Sequence, residues 1–389
     1  MPVAHAAEPR AARLIAIAIC LGAAASVALG QAEGVTDLSF NIRNSESLTD
    51  ADRKAIDRYV QHWVAQMISG ASASQIAEAK DKLSAMLEGS SGKTFRDAYS
   101  TALGSALVPA AAHEQVQVRL SAMIAAAGAS NGAVADVCNR GLADPNVGVR
   151  YQAAKAVADI LERRVRAEPS PFNPTQQQAL LATLRKSMSA EDSELVVQQM
   201  GRAISHLTIP AAFQESLAVL EQRLQWLRAH PQEVPRAAPE MLRNLRLQLV
   251  EREVMAQDVR QPLLDLTAVA GRYLRLLAER IAAGQVPPDA QAAWSDLIEI
   301  VESDVFKPAI EKFAPDAQGQ GPSLSSRIRR GQWGSSDLGA DIAKWIGAGD
   351  RPGLLTSSAL NIPMAKLALP PLETQGVPAS TPTASDVRR

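Results

Sequence analysis

Asn131-Gly132-Ala133-Val134-Ala135-Asp136-Val137-Cys138-Asn139-Arg140-Gly141-Leu142-Ala143-Asp144-Pro145-Asn146-Val147-Gly148-Val149-Arg150-Tyr151-Gln152-Ala153-Ala154-Lys155-Ala156-Val157 is the stretch on which the fold turns. Val134, Val137, Cys138 and Leu142 recur at helical steps, and so do Val149, Ala153, Val157, Ile160 and Leu161. Spacings of three and four put each set on one face of a helix. They predict one helix over about 132–142, a break at Asp144-Pro145-Asn146, and a second helix over about 147–165. Asp-Pro is helix-start chemistry, with a capping oxygen followed by a pre-set φ.

The segment resembles a HEAT-type repeat, whose second helix opens D-P-x-x-x-V-R and continues x-x-A-A-x-A-hydrophobic. The matching positions are Asp144, Pro145, Val149, Arg150, Ala153 and Ala154. The match covers one unit, with weaker echoes on either side. The resemblance implies a fold and a mode of use, and no reaction. It also implies that Asp144 and Arg150 form a buried polar ladder between successive turns, which Arg119 extends. Val149, Ala153 and Val157 are then expected to be buried against the helices of 113–127 and 175–188.

The echoes can be located. Val116-Gln117-Val118-Arg119-Leu120-Ser121-Ala122 parallels Val147 to Ala153 at an offset of 31 residues. Gly201, Ala203 and Ile204 parallel Ala154, Ala156 and Val157 at an offset of 47, after a proline-rich insertion at 168–174. Units of this length are helical pairs that bury their faces only by stacking. The uneven period predicts an all-α fold, an irregular α-solenoid of HEAT-like helical pairs over residues 48–313. Thr49 and Asp52 open its first helix, and prolines punctuate the later ones at Pro109, Pro210, Pro231, Pro262 and Pro287.

The ends of the chain read differently. Arg10 and Arg13 precede an apolar run from Leu14 to Leu29, and Ala28-Leu29-Gly30 supplies small residues for a cut before Gln31. This is the layout of a secretory signal peptide over 1–30. The run is shorter than the ~20 residues of a spanning helix, which favours cleavage over the alternative of an uncleaved anchor, and no later segment is long and apolar enough to span a membrane. Residues 31–47 lack periodicity and read as a flexible lead-in. Beyond Phe313, Gly, Pro, Gln and Ser dominate 314–326, and Pro, Thr, Ser and Ala dominate 370–385. Both read as a disordered, low-complexity tail. Within it lies a helical island over 337–346, with Leu338, Ile342, Trp345 and Ile346 on one face, either a recognition helix or a strap on the main body.

Composition limits the function classes. The chain is 47% hydrophobic but only 4% aromatic, which suits helices packed closely through Ala, Leu, Val and Ile. A formal net charge of −1 gives no reason to expect nucleic acid as a partner. His5, His62, His113, His206 and His230 stand alone, without metal-ligand spacing, and no metal or cofactor is expected. Gly89 to Thr94 ends in Gly-Lys-Thr but lacks the first glycine of a phosphate loop. Cys138 falls on the apolar face of its helix and reads as a small buried hydrophobe.

The expectation from sequence is an exported, periplasmic or secreted protein without enzymatic activity. It would act as a protein-interaction scaffold of the cell envelope, its partner another protein. Arg329, Arg330, Trp333 and Trp345 are the candidate binding residues, as exposed tail positions of the types that dominate interface hot spots. Two readings stand beside this one. Exposed tryptophans could bind an envelope polymer such as a glycan, or scattered carboxylates could assemble an enzyme site.

Overall fold

Several helices along the chain begin where a polar side chain takes the first free N–H groups, as Thr49, Ser72, Asn146 and Asn173 do. In the computed structural model, which describes residues 37–70, 72–89, 91–163, 170–333 and 336–369, every regular element is helical. These are α1 (Phe40–Arg43), α2 (Asp50–Ser69), α3 (Ala73–Ala85), α4 (Lys93–Ala111), α5 (Val116–Ala126), α6 (Ala135–Leu142) and α7 (Val147–Glu162). Then come α8 (Pro174–Ser189), α9 (Glu194–Ser205), α10 (Ala211–Ala229), α11 (Ala237–Val254), α12 (Arg260–Ala282) and α13 (Gln291–Ile300). A π-helical turn, Val301–Phe306, leads into α14 (Lys307–Phe313), α15 (Leu324–Arg329), α16 (Ser336–Ile346), α17 (Leu354–Ser357) and α18 (Met364–Leu367). The proposed signal segment 1–30 and residues 370–389 lie outside the described residues.

Local chemistry accounts for two of these starts. Thr49 and Asp52 close a capping box on α2, and Asn173 and Gln176 close one on α8, where Pro174 takes the first helical position. The α7 start departs from expectation. Asn146, not Asp144, caps it, accepting from the Gly148 and Val149 N–H groups. Asp144 sits too far upstream to reach the first turn and turns its carboxylate to Asn146 N–H and Arg119 instead.

The helices pack in two rows. α2, α4, α6, α8, α10 and α12 each lie on the next, and α3, α5, α7, α9 and α11 do the same. The rows face one another through the pairs α2–α3, α4–α5, α6–α7, α8–α9 and α10–α11. Val149, Ala153 and Val157 are fully buried in this interface. Their helix lies on α5, as expected of the 113–127 helix, and on α6 and α9, which take the place expected of the 175–188 helix as its main neighbours. α8 stands in the other row, on α6 and α10, because it is the first member of its pair. Close approach is bought with small residues: a Cβ on Gly104 would clash with Ala133, and one on Gly201 with Met241.

Two regions assigned to loose chain are ordered where described. In the lead-in, Ser39 caps α1, Lys82 binds Asp37, and Gly92 N–H donates to the Arg43 carbonyl at 2.8 Å. In the tail, 314–333 and 336–369 fold onto α12, α13 and the π-turn. Leu338, Ile342, Trp345 and Ile346 are all buried, as are Leu355, Leu360, Ile362 and Leu367. The composition misleads because its glycines serve packing: the Trp345 ring lies where a Cβ on Gly321 would be. Arg275 then fastens the ends of α16 and α18, donating to the carbonyls of Ile346, Gly347 and Leu367 at 2.9–3.1 Å.

Candidate functional site

The repeat positions form a run of buried ion pairs with one recurring geometry. Arg119 grips Asp144 with two hydrogen bonds, at 2.6 and 3.2 Å, and donates from Nη1 to the His113 and Glu114 carbonyls. Arg150 repeats this atom for atom. It grips Glu191 at 2.6 and 3.0 Å and donates from Nη1 to the Asp144 and Pro145 carbonyls at 3.0 Å. Asp144 accepts from Asn146 N–H, and Glu191 from Ser193 N–H. Arg223 continues the run from α10, bonding the Glu191 carbonyl and the Glu194 carboxylate.

Glu191 was not among the sequence candidates. It stands 47 residues after Asp144, the offset already given by Gly201, Ala203 and Ile204, but a glutamate there breaks the repeat pattern. Burial works to raise its pKa, yet the Arg150 hydrogen bonds, the Ser193 N–H and the charges of Arg150 and Arg223 hold it below the usual carboxylate range. For Glu194, burial prevails over Arg223 and its pKa is raised. These groups link one helical pair to the next.

The candidate binding residues are not brought together as an exposed cluster. Arg329 and Arg330 are exposed, with Arg329 paired to Glu299 at 2.9 Å and Arg330 bonded to the Ser326 carbonyl. The tryptophans are buried, Trp333 at 8% and Trp345 at 3% exposure. Trp345 packs on Phe306 and donates its indole N–H to the Pro322 carbonyl at 2.9 Å. Its amphipathic helix found an apolar face on its own chain, which the flanking composition concealed.

Chemistry of a catalytic kind is sparse among the described residues. No group of three His, Cys, Asp or Glu side chains is placed to hold a metal ion there. Burial pushes the Cys138 thiol up to about 12, so it has no thiolate to offer near neutral pH. A cleft of about 700 Å³ opens between α2 and α4, with Arg53, Asp57 and Gln61 on one wall. Asp97, on the other wall, is already engaged by Lys93 and Ser130. No described helix is long and apolar enough to cross a membrane.

What distinguishes the surface is where it is apolar. Nine large hydrophobic side chains are exposed among the described residues, and eight lie on or at the end of one row. They are Val116 and Ile124 on α5, Val147 on α7, Leu195 on α9, Leu247, Val250 and Val254 on α11, and Met255 just after it. Phe40 is the ninth. Single exposed hydrophobes are ordinary; here Val116, Val147 and Leu195 stand at the starts of their helices, and Leu247, Val250, Val254 and Met255 follow one another at the end of α11. Sequence reading passed over them because the same helices carry fuller apolar stripes on their buried sides. No family model matches the chain, and no curated protein matches it.

Proposed function

We propose that the chain is an irregular α-solenoid of HEAT-like helical pairs that acts as a non-enzymatic scaffold for another protein, in the cell envelope or outside the cell. The observation that carries this is that eight of the nine large exposed hydrophobes among the described residues belong to the α5–α7–α9–α11 row. Row-on-row packing and the repeated Arg119–Asp144 and Arg150–Glu191 geometry support the stacked-pair reading. A partner helix or loop with an apolar face would gain about 25 cal/mol for each Å² it buries there. Export rests on the Arg10-to-Gly30 pattern.

The glycan reading depended on exposed tryptophans, and burial of Trp333 and Trp345 removes its carriers. The test is a comparison of tagged protein with a Val147→Glu/Leu195→Glu variant in envelope extract. Both side chains are already solvated, so the fold tolerates the change. The variant is expected to lose a protein that the parent retains. An identical set of retained proteins would mean that this face is not the one used.

A further inference from the structure

The methionines of the described residues fall into two chemical classes. Met67, Met86, Met123, Met188, Met200 and Met241 are buried, and Met364 is half-buried. Met255, just past the end of α11, is 62% exposed. Its neighbours along the chain, Val254, Ala256, Gln257 and Asp258, are exposed as well, so the whole turn stands in solvent. The buried sulfurs have no such room. The Met123 sulfur lies where a Cβ on Gly141 would be, and the Met241 sulfur where one on Gly201 would be. Each is pressed on the backbone of a facing helix. An oxygen added to either sulfur would meet packed atoms and would bury a polar group without a partner.

We propose that Met255 is an oxidation site, at which oxidants of the peroxide class convert its thioether to the sulfoxide while the fold stays intact. The sulfur lone pair attacks one oxygen of hydrogen peroxide. An S–O bond forms, the O–O bond breaks, and the second oxygen leaves as water after taking the proton of the transferred hydroxyl. Sulfur is oxidised by two electrons and the peroxide is reduced to water. A methionine sulfoxide reductase reverses the step, with two thiols as the reductant and a disulfide and water as products. Oxidation turns a flexible apolar side chain into a polar one. At Met255 the side chain is already solvated, so no core contact is lost. The new oxygen places a hydrogen-bond acceptor at the end of the exposed set Leu247, Val250 and Val254, and so changes that surface and not the core. The buried thioethers are reached only when the chain opens around them, which ranks them behind Met255 for as long as the protein is folded.

The experiment treats the purified, folded protein with hydrogen peroxide and follows each methionine by proteolysis and mass spectrometry. Met255 is expected to gain its oxygen first, about tenfold or more ahead of Met123, Met188, Met200 and Met241. In urea the difference disappears, because it comes from burial and not from the adjoining sequence. Protein with a single oxygen on Met255 keeps the circular dichroism spectrum and the urea midpoint of the parent. A methionine sulfoxide reductase with dithiothreitol then removes the oxygen. Met255→Leu, at an exposed position, folds and lacks the early phase. Equal rates at Met255 and the buried methionines of the folded chain overturn the inference. So does Met364 reacting ahead of Met255, or a urea midpoint that falls with the first oxygen on Met255. None of these readouts depends on capture of another protein, so the scaffold reading stands or falls separately.

Discussion

Replacing Trp345 with Ala tests whether the C-terminal segment is part of the folded body. The indole is 3% exposed, packs on Phe306 with ring centres 5.2 Å apart, and donates one hydrogen bond to the Pro322 carbonyl. Truncating a buried aromatic to alanine costs about 3–5 kcal/mol, including the cavity left behind. About 1 kcal/mol of that is the lost hydrogen bond. Against a total stability of about 5–15 kcal/mol this is a large fraction. In urea denaturation followed by far-ultraviolet circular dichroism, with a slope of about 3 kcal/mol/M, the midpoint falls by about 1 M or more. Gly321→Ala supplies the complementary perturbation, since its Cβ is aimed at the Trp345 ring. The two substitutions share one contact, so their combined effect should fall short of the sum of the single ones. A Trp345→Ala midpoint equal to that of the parent would refute the packing argument. Full additivity with Gly321→Ala would refute the contact itself.

The turn after α11 offers a gain in stability. Ala256 holds φ 55° where Gly284, in the matching turn after α12, holds φ 65°. The left-handed region costs a Cβ-bearing residue about 1–2 kcal/mol, so Ala256→Gly should raise the urea midpoint by the equivalent of about 1 kcal/mol. Acid should weaken the ladder between α7 and α9. The Glu191 pKa is lower in the folded chain than in the unfolded one, so its contribution is complete above the ordinary glutamate value of about 4.3 and is lost as pH falls through the folded value. Asp341, held low by Lys344 and Arg327 against its burial, acts in the same sense, whereas Glu194, with a raised pKa, acts in the opposite one. Glu191→Gln should cost about 1–3 kcal/mol at pH 6 and lose less than the parent between pH 6 and pH 3. Equal pH slopes for the two proteins would show that Glu191 does not carry the acid sensitivity.

The sequence by itself determined that this chain is helical, and where most helices lie. Apolar residues at steps of three and four are a local property, and Thr49, Asn173 and Pro174 act on the turn in which they sit. It also determined the register of the echoes, since the Arg119 and Arg150 geometries repeat at the 31-residue offset read from the letters. Tertiary structure decided what depends on partners distant in the chain. Trp345 and Trp333 were read as exposed because their neighbours are Gly, Pro and Ser, yet burial depends on which surface is within reach, and α12 and the π-turn supply one. Glu191 stands at the 47-residue offset from Asp144, but a glutamate in place of the aspartate hid the equivalence until the α8–α9 turn placed it 2.6 Å from Arg150. The exposed stripe of α11 is the converse case. Leu247, Val250 and Val254 are as apolar as the core residues beside them, and only the packing of α9, α12, α13 and the π-turn against the other side of the helix leaves them facing solvent.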